Sequence, residues 1–214
     1  MHTTEKQVSY RTTNTYETLN KMSEKTKNVW IVFHGIGFLS RYFLKYFDEL
    51  PPEENYFIAP QAPSKYYLKN EYRHVGASWL TKENTALEKK NVLAYLDAVF
   101  EVEKIPETCK LIVFGFSQGV SIAMRWAAYQ KPRCEHLILY AGGIPTELEP
   151  SDFDFIKDYG TKVKVLIGNQ DEYINEDRLR DESKKIELLF NGKAEQVIYE
   201  GGHEIKKELI NALI

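Results

Sequence analysis

The sequence predicts an α/β protein with a mostly parallel central sheet covered by helices on both faces. Three observations carry that expectation. Short runs dense in β-branched and large apolar residues recur along the chain, among them Val29-Trp30-Ile31-Val32-Phe33 and Leu111-Ile112-Val113-Phe114. Between them lie longer stretches whose apolar residues recur three and four positions apart, which is the helical spacing. The two patterns alternate from about residue 29 to the C-terminus, and strands that read as unbroken apolar runs are those buried on both faces.

Taken in order, residues 7–20 alternate polar side chains with Val8, Tyr10, Tyr16 and Leu19. That pattern predicts an antiparallel edge hairpin or meander, so N-terminal edge strands are expected within residues 1–28. A core strand at 28–33 follows, then a helix at 39–50 with Leu39, Phe43, Phe47 and Leu50 on one face. A second buried strand is expected at 55–59. Residues 60–81 form the one long irregular segment, a loop placed over a cleft, and loops of that length are usually functional or disordered. Its Tyr66, Tyr67, Tyr72 and Trp79 argue against disorder. A long helix at 84–104 carries the stripe Leu93, Leu96, Val99 and Phe100. Strands at 110–114, 136–140, 162–167 and 195–199 alternate with helices at 120–130, 176–190 and 203–213. The last strands leave no room for a separate helical cap.

A chain of 214 residues is long enough for one well-buried core and short for two, so a single domain spanning 1–214 is expected. Hydrophobic residues make up 43% and charged residues 28%, as in an ordinary water-soluble protein. The net charge of −3 argues against a nucleic-acid surface. No apolar run approaches the roughly 20 residues of a membrane span. Met1 to Lys6 contains no apolar signal-peptide core, and a cytoplasmic location is the expectation. Cys109 and Cys134 are too few and too isolated for a disulfide framework or a metal site, and no cofactor is called for.

Chemistry concentrates at Gly115-Phe116-Ser117-Gln118-Gly119. An apolar strand precedes it and a helix follows it. A strand that turns sharply into a helix around G-x-S-x-G is a nucleophile elbow, in which the glycines let the strand and helix backbones crowd together. The competing reading is a glycine-bounded turn whose serine only caps the helix.

A serine hydroxyl needs a base to take its proton, and the base needs an orienting acid. Behind such an elbow the chain order is serine, acid, histidine. Only His136 and His203 follow Ser117. His136 starts a core strand, pointing it away from the edge that carries Ser117. His203 follows Glu200-Gly201-Gly202, just past the strand at 195–199, and is the candidate base. The strand at 162–167 runs into Gly168-Asn169-Gln170-Asp171, so Asp171 is the candidate acid, with Glu172 and Asp154 as alternatives. An anion-stabilising pair of backbone N–H groups completes the set. Gln118 at a helix N-terminus supplies one, and Ile36 in His34-Gly35-Ile36-Gly37 the other, with Gly37 as its neighbouring alternative. His34 is expected to fix that loop by hydrogen bonding.

From about Val29 to the C-terminus these motifs resemble the carboxylesterase/acyl-protein thioesterase branch of the α/β-hydrolases, also called phospholipase/carboxylesterases. Gly115 to Gly119 matches its G-F-S-Q-G, and His34 to Gly37 its H-G-x-G. Ala59-Pro60-Gln61-Ala62-Pro63, followed by Ser78-Trp79, resembles its A-P-x-A-P loop and serine-tryptophan pair. Gly168 to Ile174 resembles its acid motif, and Tyr199 to His203 its histidine segment, one residue shorter. The departures are Phe38 in place of an aspartate, Val120 in place of a further glycine, and Glu172-Tyr173 in place of a proline after the acid. They bear on substrate choice, so thioesterase specificity does not carry over.

The resemblance implies an α/β-hydrolase fold and cofactor-free hydrolysis of carboxylic esters or thioesters. Its partner would be a small-molecule ester or thioester, with an acylated protein as a further substrate class. Phe38, Tyr66, Tyr67, Trp79 and Tyr173 are the candidate lining of an apolar pocket, or else aromatics packed under the long loop. The rival readings are a non-catalytic protein that binds an acyl or aromatic ligand, and a peptidase or lactone hydrolase on the same scaffold.

Overall fold

Side chains alternate across a strand, so Val29, Ile31 and Phe33 leave one side of theirs and Trp30 and Val32 the other. All five are buried, in two separate clusters, because the strand has a helical layer on each face. The computed structural model describes residues 2–174 and 176–213. Its main sheet contains β1 (Tyr16–Leu19), β2 (Asn28–Phe33), β3 (Asn55–Pro60), β6 (Lys110–Phe116), β7 (His136–Tyr140), β8 (Lys162–Gly168) and β9 (Glu195–Tyr199). Their order across the sheet is β1-β3-β2-β6-β7-β8-β9. Every neighbouring pair is parallel except β1 with β3.

Val92, Leu96 and Val99 of α2 (Thr85–Glu103) cover one face of the sheet. They are joined there by Ile122, Met124 and Trp126 of α3 (Gln118–Gln130) and Ile186 and Leu189 of α5 (Glu176–Phe190). The other face is closed by Phe43 of α1 (Ser40–Phe43), Leu44 and Phe47 of the 3-10 turn Leu44–Phe47, and Ile210 of α6 (Lys207–Asn211). This is the α/β-hydrolase arrangement. No helix among the described residues is long and apolar enough to cross a membrane.

The turn from β6 into α3 is tight. Ser117 sits at φ 54°, ψ −120°, in the positive-φ region that a side chain disfavours. Its N–H donates to the carbonyl of Tyr140 at the end of β7 (2.9 Å), which holds that conformation. A Cβ on Gly119 would lie 2.0 Å from the Phe33 carbonyl oxygen, so only glycine lets the first turn of α3 rest on the end of β2.

Several boundaries differ from the sequence expectation. Within residues 2–15 there is no regular element, and Val8 and Tyr10 stay exposed, so the edge hairpin reduces to the single strand β1. Nothing packs over those side chains to offset the entropy of ordering them. Residues 39–50 split into α1 and a 3-10 turn, since aromatic residues form helix poorly and Pro51 disfavours helix before it. Residues 60–81 are not irregular throughout. β4 (Ser64–Tyr67) and β5 (Val75–Ser78) form an antiparallel hairpin. All four residues of β4 are exposed, so no buried alternation advertised the strand. The 203–213 helix shortens to α6, leaving His203 on a loop. A 3-10 turn at Pro150–Phe153 and α4 (Phe155–Tyr159) occupy a stretch that carried no assignment.

Candidate active site

Three strand ends deliver Ser117, Asp171 and His203 to one place at the C-terminal edge of the sheet. Ser117 leaves β6, Asp171 lies in the turn after β8, and His203 in the loop after β9. Those two loops are stitched together: Gln170 N–H donates to Gly201 O (2.9 Å) and Gly201 N–H to Asn169 Oδ1 (3.1 Å). His203 Nδ1 lies 2.8 Å from Asp171 Oδ2, and His203 Nε2 lies 2.8 Å from Ser117 Oγ. An ionised carboxylate only accepts, so the ring proton sits on Nδ1 and Nε2 offers its lone pair to the serine O–H. Asp171 Oδ1 accepts the N–H of Tyr173 (2.9 Å), and its side chain has no solvent exposure. Phe116 lies against the His203 ring, and Tyr173 meets it edge-on with centroids 4.8 Å apart. Ser117 makes no capping bond to α3, which removes the helix-cap reading of this serine. Of the alternative acids, Asp154 pairs with Lys157, and the Nδ1 of the histidine ring is bonded to Asp171 rather than to Glu172.

The amides near Ser117 Oγ divide by what they already bond. Gly37 N–H donates to Ala77 O (2.8 Å), Phe38 N–H to Gly35 O (3.3 Å) and Val120 N–H to Ser117 O (3.0 Å). Ile36 N–H has no acceptor among the described residues, and Gln118 N–H, first in α3, has no intrahelical one. Both residues line the cleft beside Ser117. The loop is fixed from below by His34, which is fully buried. Its Nδ1–H donates to Gly35 O (2.8 Å), and its Nε2 accepts the N–H of Ala62 (3.2 Å).

Burial pushes the His34 pKa down from 6.5 to about 4, the Gly35 hydrogen bond opposing it only in part. Well above pH 6.5 the ring is neutral folded or unfolded and adds no pH dependence. As pH falls from about 6.5 to about 4 the unfolded chain takes up a proton that the folded one refuses, so stability drops by about 3 kcal/mol across that window. Urea unfolding at stepped pH checks this. His34→Gln should flatten the decline between pH 6.5 and 5, and an unchanged slope would assign the decline to other groups.

The cleft over Ser117 has a volume of about 740 Å³. Of the candidate pocket aromatics, Phe38 and Tyr173 line it. Tyr66 and Tyr67 do not: both sit exposed on β4, Tyr66 beside Gly37 and Tyr67 packed on Tyr72. Trp79 does not line it either. It is fully buried, donating from Nε1 to His34 O (2.8 Å) and packing on Phe33 and His34, because β5 runs beneath the 34–38 loop. Trp79→Ala should therefore cost about 3–5 kcal/mol of stability, with the relative KM of medium-chain and acetyl esters unchanged. A selective rise in medium-chain KM would return the residue to the cleft wall. Tyr46, Phe116, Ile174, Arg178 and Ile205 also line it. Phe116 was legible as the elbow residue before the serine. Ile174 closes the stretch that resembles the acid motif, and Tyr46, Arg178 and Ile205 lie on a loop or helix faces that no motif marked.

A family model for phospholipase/carboxylesterase matches residues 14–214. An acyl-protein thioesterase 2 of Zea mays superposes with a TM-score of 0.71 at 15% identity, over 94% of this chain and 96% of its own. A phospholipase/carboxylesterase of Dyadobacter fermentans gives 0.65 at 22% identity, over 96% and 98%. A carboxylesterase of Bacillus cereus gives 0.64 at 16%, over 93% and 91%. At such identities the likeness speaks for the fold. No curated protein matches the chain in sequence. The family match indicates hydrolase chemistry of the esterase type. With that match reaching from before β1 to the C-terminus, and the fold shared along nearly the whole length, this chain belongs to the phospholipase/carboxylesterase family of α/β-hydrolases.

Proposed function

We propose that the protein is a serine hydrolase that cleaves carboxylic esters or thioesters through an acyl-enzyme. The observation that carries this reading is the relay Ser117 Oγ, His203, Asp171, with both links at 2.8 Å. Ser117 Oγ attacks the acyl carbon while His203 Nε2 takes its proton, and Asp171 stabilises the imidazolium formed. The developing oxyanion is met by the N–H groups of Ile36 and Gln118, which are spared other bonds, with the α3 dipole behind Gln118. The imidazolium returns the proton to the leaving alcohol or thiol. Water then gives a proton to His203 and attacks the acyl-enzyme, releasing the acid and restoring Ser117. Phe38, Phe116, Tyr173 and Ile205 give the cleft an apolar wall suited to an acyl chain, whether on a small molecule or a protein.

A fluorophosphonate probe followed by matched ester, thioester and amide substrates tests the reading. Covalent labelling at Ser117 with turnover of the ester or thioester is expected. A protein that resists labelling would be a ligand-binding member of the fold, and preferential amide turnover would make it a peptidase.

A further inference from the structure

The proposed reaction leaves one conspicuous motif without a role, the pair Ser78-Trp79, and Trp79 lies outside the cleft. Residues 77–80, at the end of β5, instead touch both sources of the oxyanion amides. Toward the 34–38 loop, Ala77 O accepts the N–H of Gly37 (2.8 Å) and Trp79 Nε1–H donates to His34 O (2.8 Å). Toward the elbow the side-chain hydrogen bonds among the described residues converge on Gln118. Trp79 N–H donates to Gln118 Oε1 (2.8 Å), and Gln118 Nε2–H donates to Leu80 O (2.8 Å) and lies 3.1 Å from Ser78 Oγ. A primary amide has the acceptor and the donor needed to engage an N–H and a C=O of adjacent residues together, as a neighbouring strand would. The clamp thus fixes both the separation and the twist between the α3 N-terminus and the hairpin that carries the other loop.

We infer that the Gln118 side chain is a positioning residue: by clamping residues 77–80 it sets the spacing of the Ile36 and Gln118 amides. The inference rests on the acyl-enzyme reading and assigns the side chain a task separate from its own backbone N–H. An oxyanion site acts only if its donors are already aimed where charge develops, and displacement on the order of 1 Å costs about 10²-fold in rate. The ground-state substrate depends less on that aim, so the effect falls on kcat.

The test uses the full chain with Gln118→Met, which keeps length and removes every side-chain hydrogen bond of that residue, and Gln118→Glu. Kinetics on a p-nitrophenyl ester are measured across pH, together with melting temperature and fluorophosphonate labelling. Gln118→Met should lower kcat about 10- to 100-fold with KM within about threefold of wild type. Gln118→Glu sets a carboxylate against Leu80 O at neutral pH and should show a similar loss. Its kcat relative to wild type should rise as pH falls, because the protonated carboxyl restores the donor and acceptor pair. A merely structural role would not produce that recovery. Wild-type kcat in Gln118→Met, a loss confined to KM, or a pH-independent deficit in Gln118→Glu overturns the inference. If Gln118→Met does not fold, the pH ratio of Gln118→Glu decides alone. An unlabelled, inactive wild type overturns the acyl-enzyme reading and this inference with it. A labelled, active wild type with unaltered variants overturns only the inference.

Discussion

Ser117→Ala is expected to lower kcat for p-nitrophenyl ester hydrolysis by about 10⁴–10⁶-fold, with the fold preserved. Only Oγ is removed, and a methyl group at φ 54° is no more strained than the hydroxymethyl it replaces. The backbone bond from Ser117 N–H to Tyr140 O, which holds the elbow, is untouched. Circular dichroism and melting temperature should therefore stay close to wild type while turnover collapses. His203→Ala should fall nearly as far. The double variant should fall little further than either single one, because the two residues act as a unit. Additive losses would show that Ser117 and His203 contribute separately and would dismantle the relay.

Asp171→Asn should lower kcat by about 10³–10⁴-fold, a smaller loss than that of the nucleophile. The structure supplies the reason. Asp171 Oδ1 is committed to the N–H of Tyr173, so an asparagine would keep its oxygen there and turn its NH2 toward His203 Nδ1. Two donors cannot face each other, so the ring proton moves to Nε2, and the lone pair that should accept the serine proton is lost. KM should change little. Nuclear magnetic resonance of the imidazole nitrogens reads the tautomer directly. Full activity in Asp171→Asn would pass the acid's role to Glu172 or Asp154.

The alternation of apolar runs and helical stripes sufficed to derive a mostly parallel sheet with two helical layers, because burial on both faces leaves little freedom in composition. Position alone marked Ser117, Asp171 and His203 as candidates: a glycine-flanked turn, the turn after one strand and the loop after another. Strand ends converge at one edge of a parallel sheet, so chain order and strand boundaries constrain where such residues meet. The hairpin of β4 and β5 was not legible, since its first strand is exposed on every residue and leaves no periodic burial to read. For the same reason Tyr66 and Tyr67 passed for cleft residues.

What the sequence determined by itself was the architecture, the family motifs and a short set of candidate reactive residues, all consequences of local pattern and chain order. The tertiary structure alone decided which aromatic faces the cleft and which supports it. Trp79 and Phe38 are both large apolar residues close to motif positions, yet one is buried under the 34–38 loop and the other lines the cleft. It decided that Gly37 N–H is already spent on Ala77 O, whereas Ile36 N–H has no acceptor among the described residues. It also revealed the Gln118 side chain bridging to Leu80, a contact between residues 38 positions apart. Such pairings depend on how a hairpin from one crossover lies across the ends of two adjacent strands, a packing relation that no local periodicity encodes.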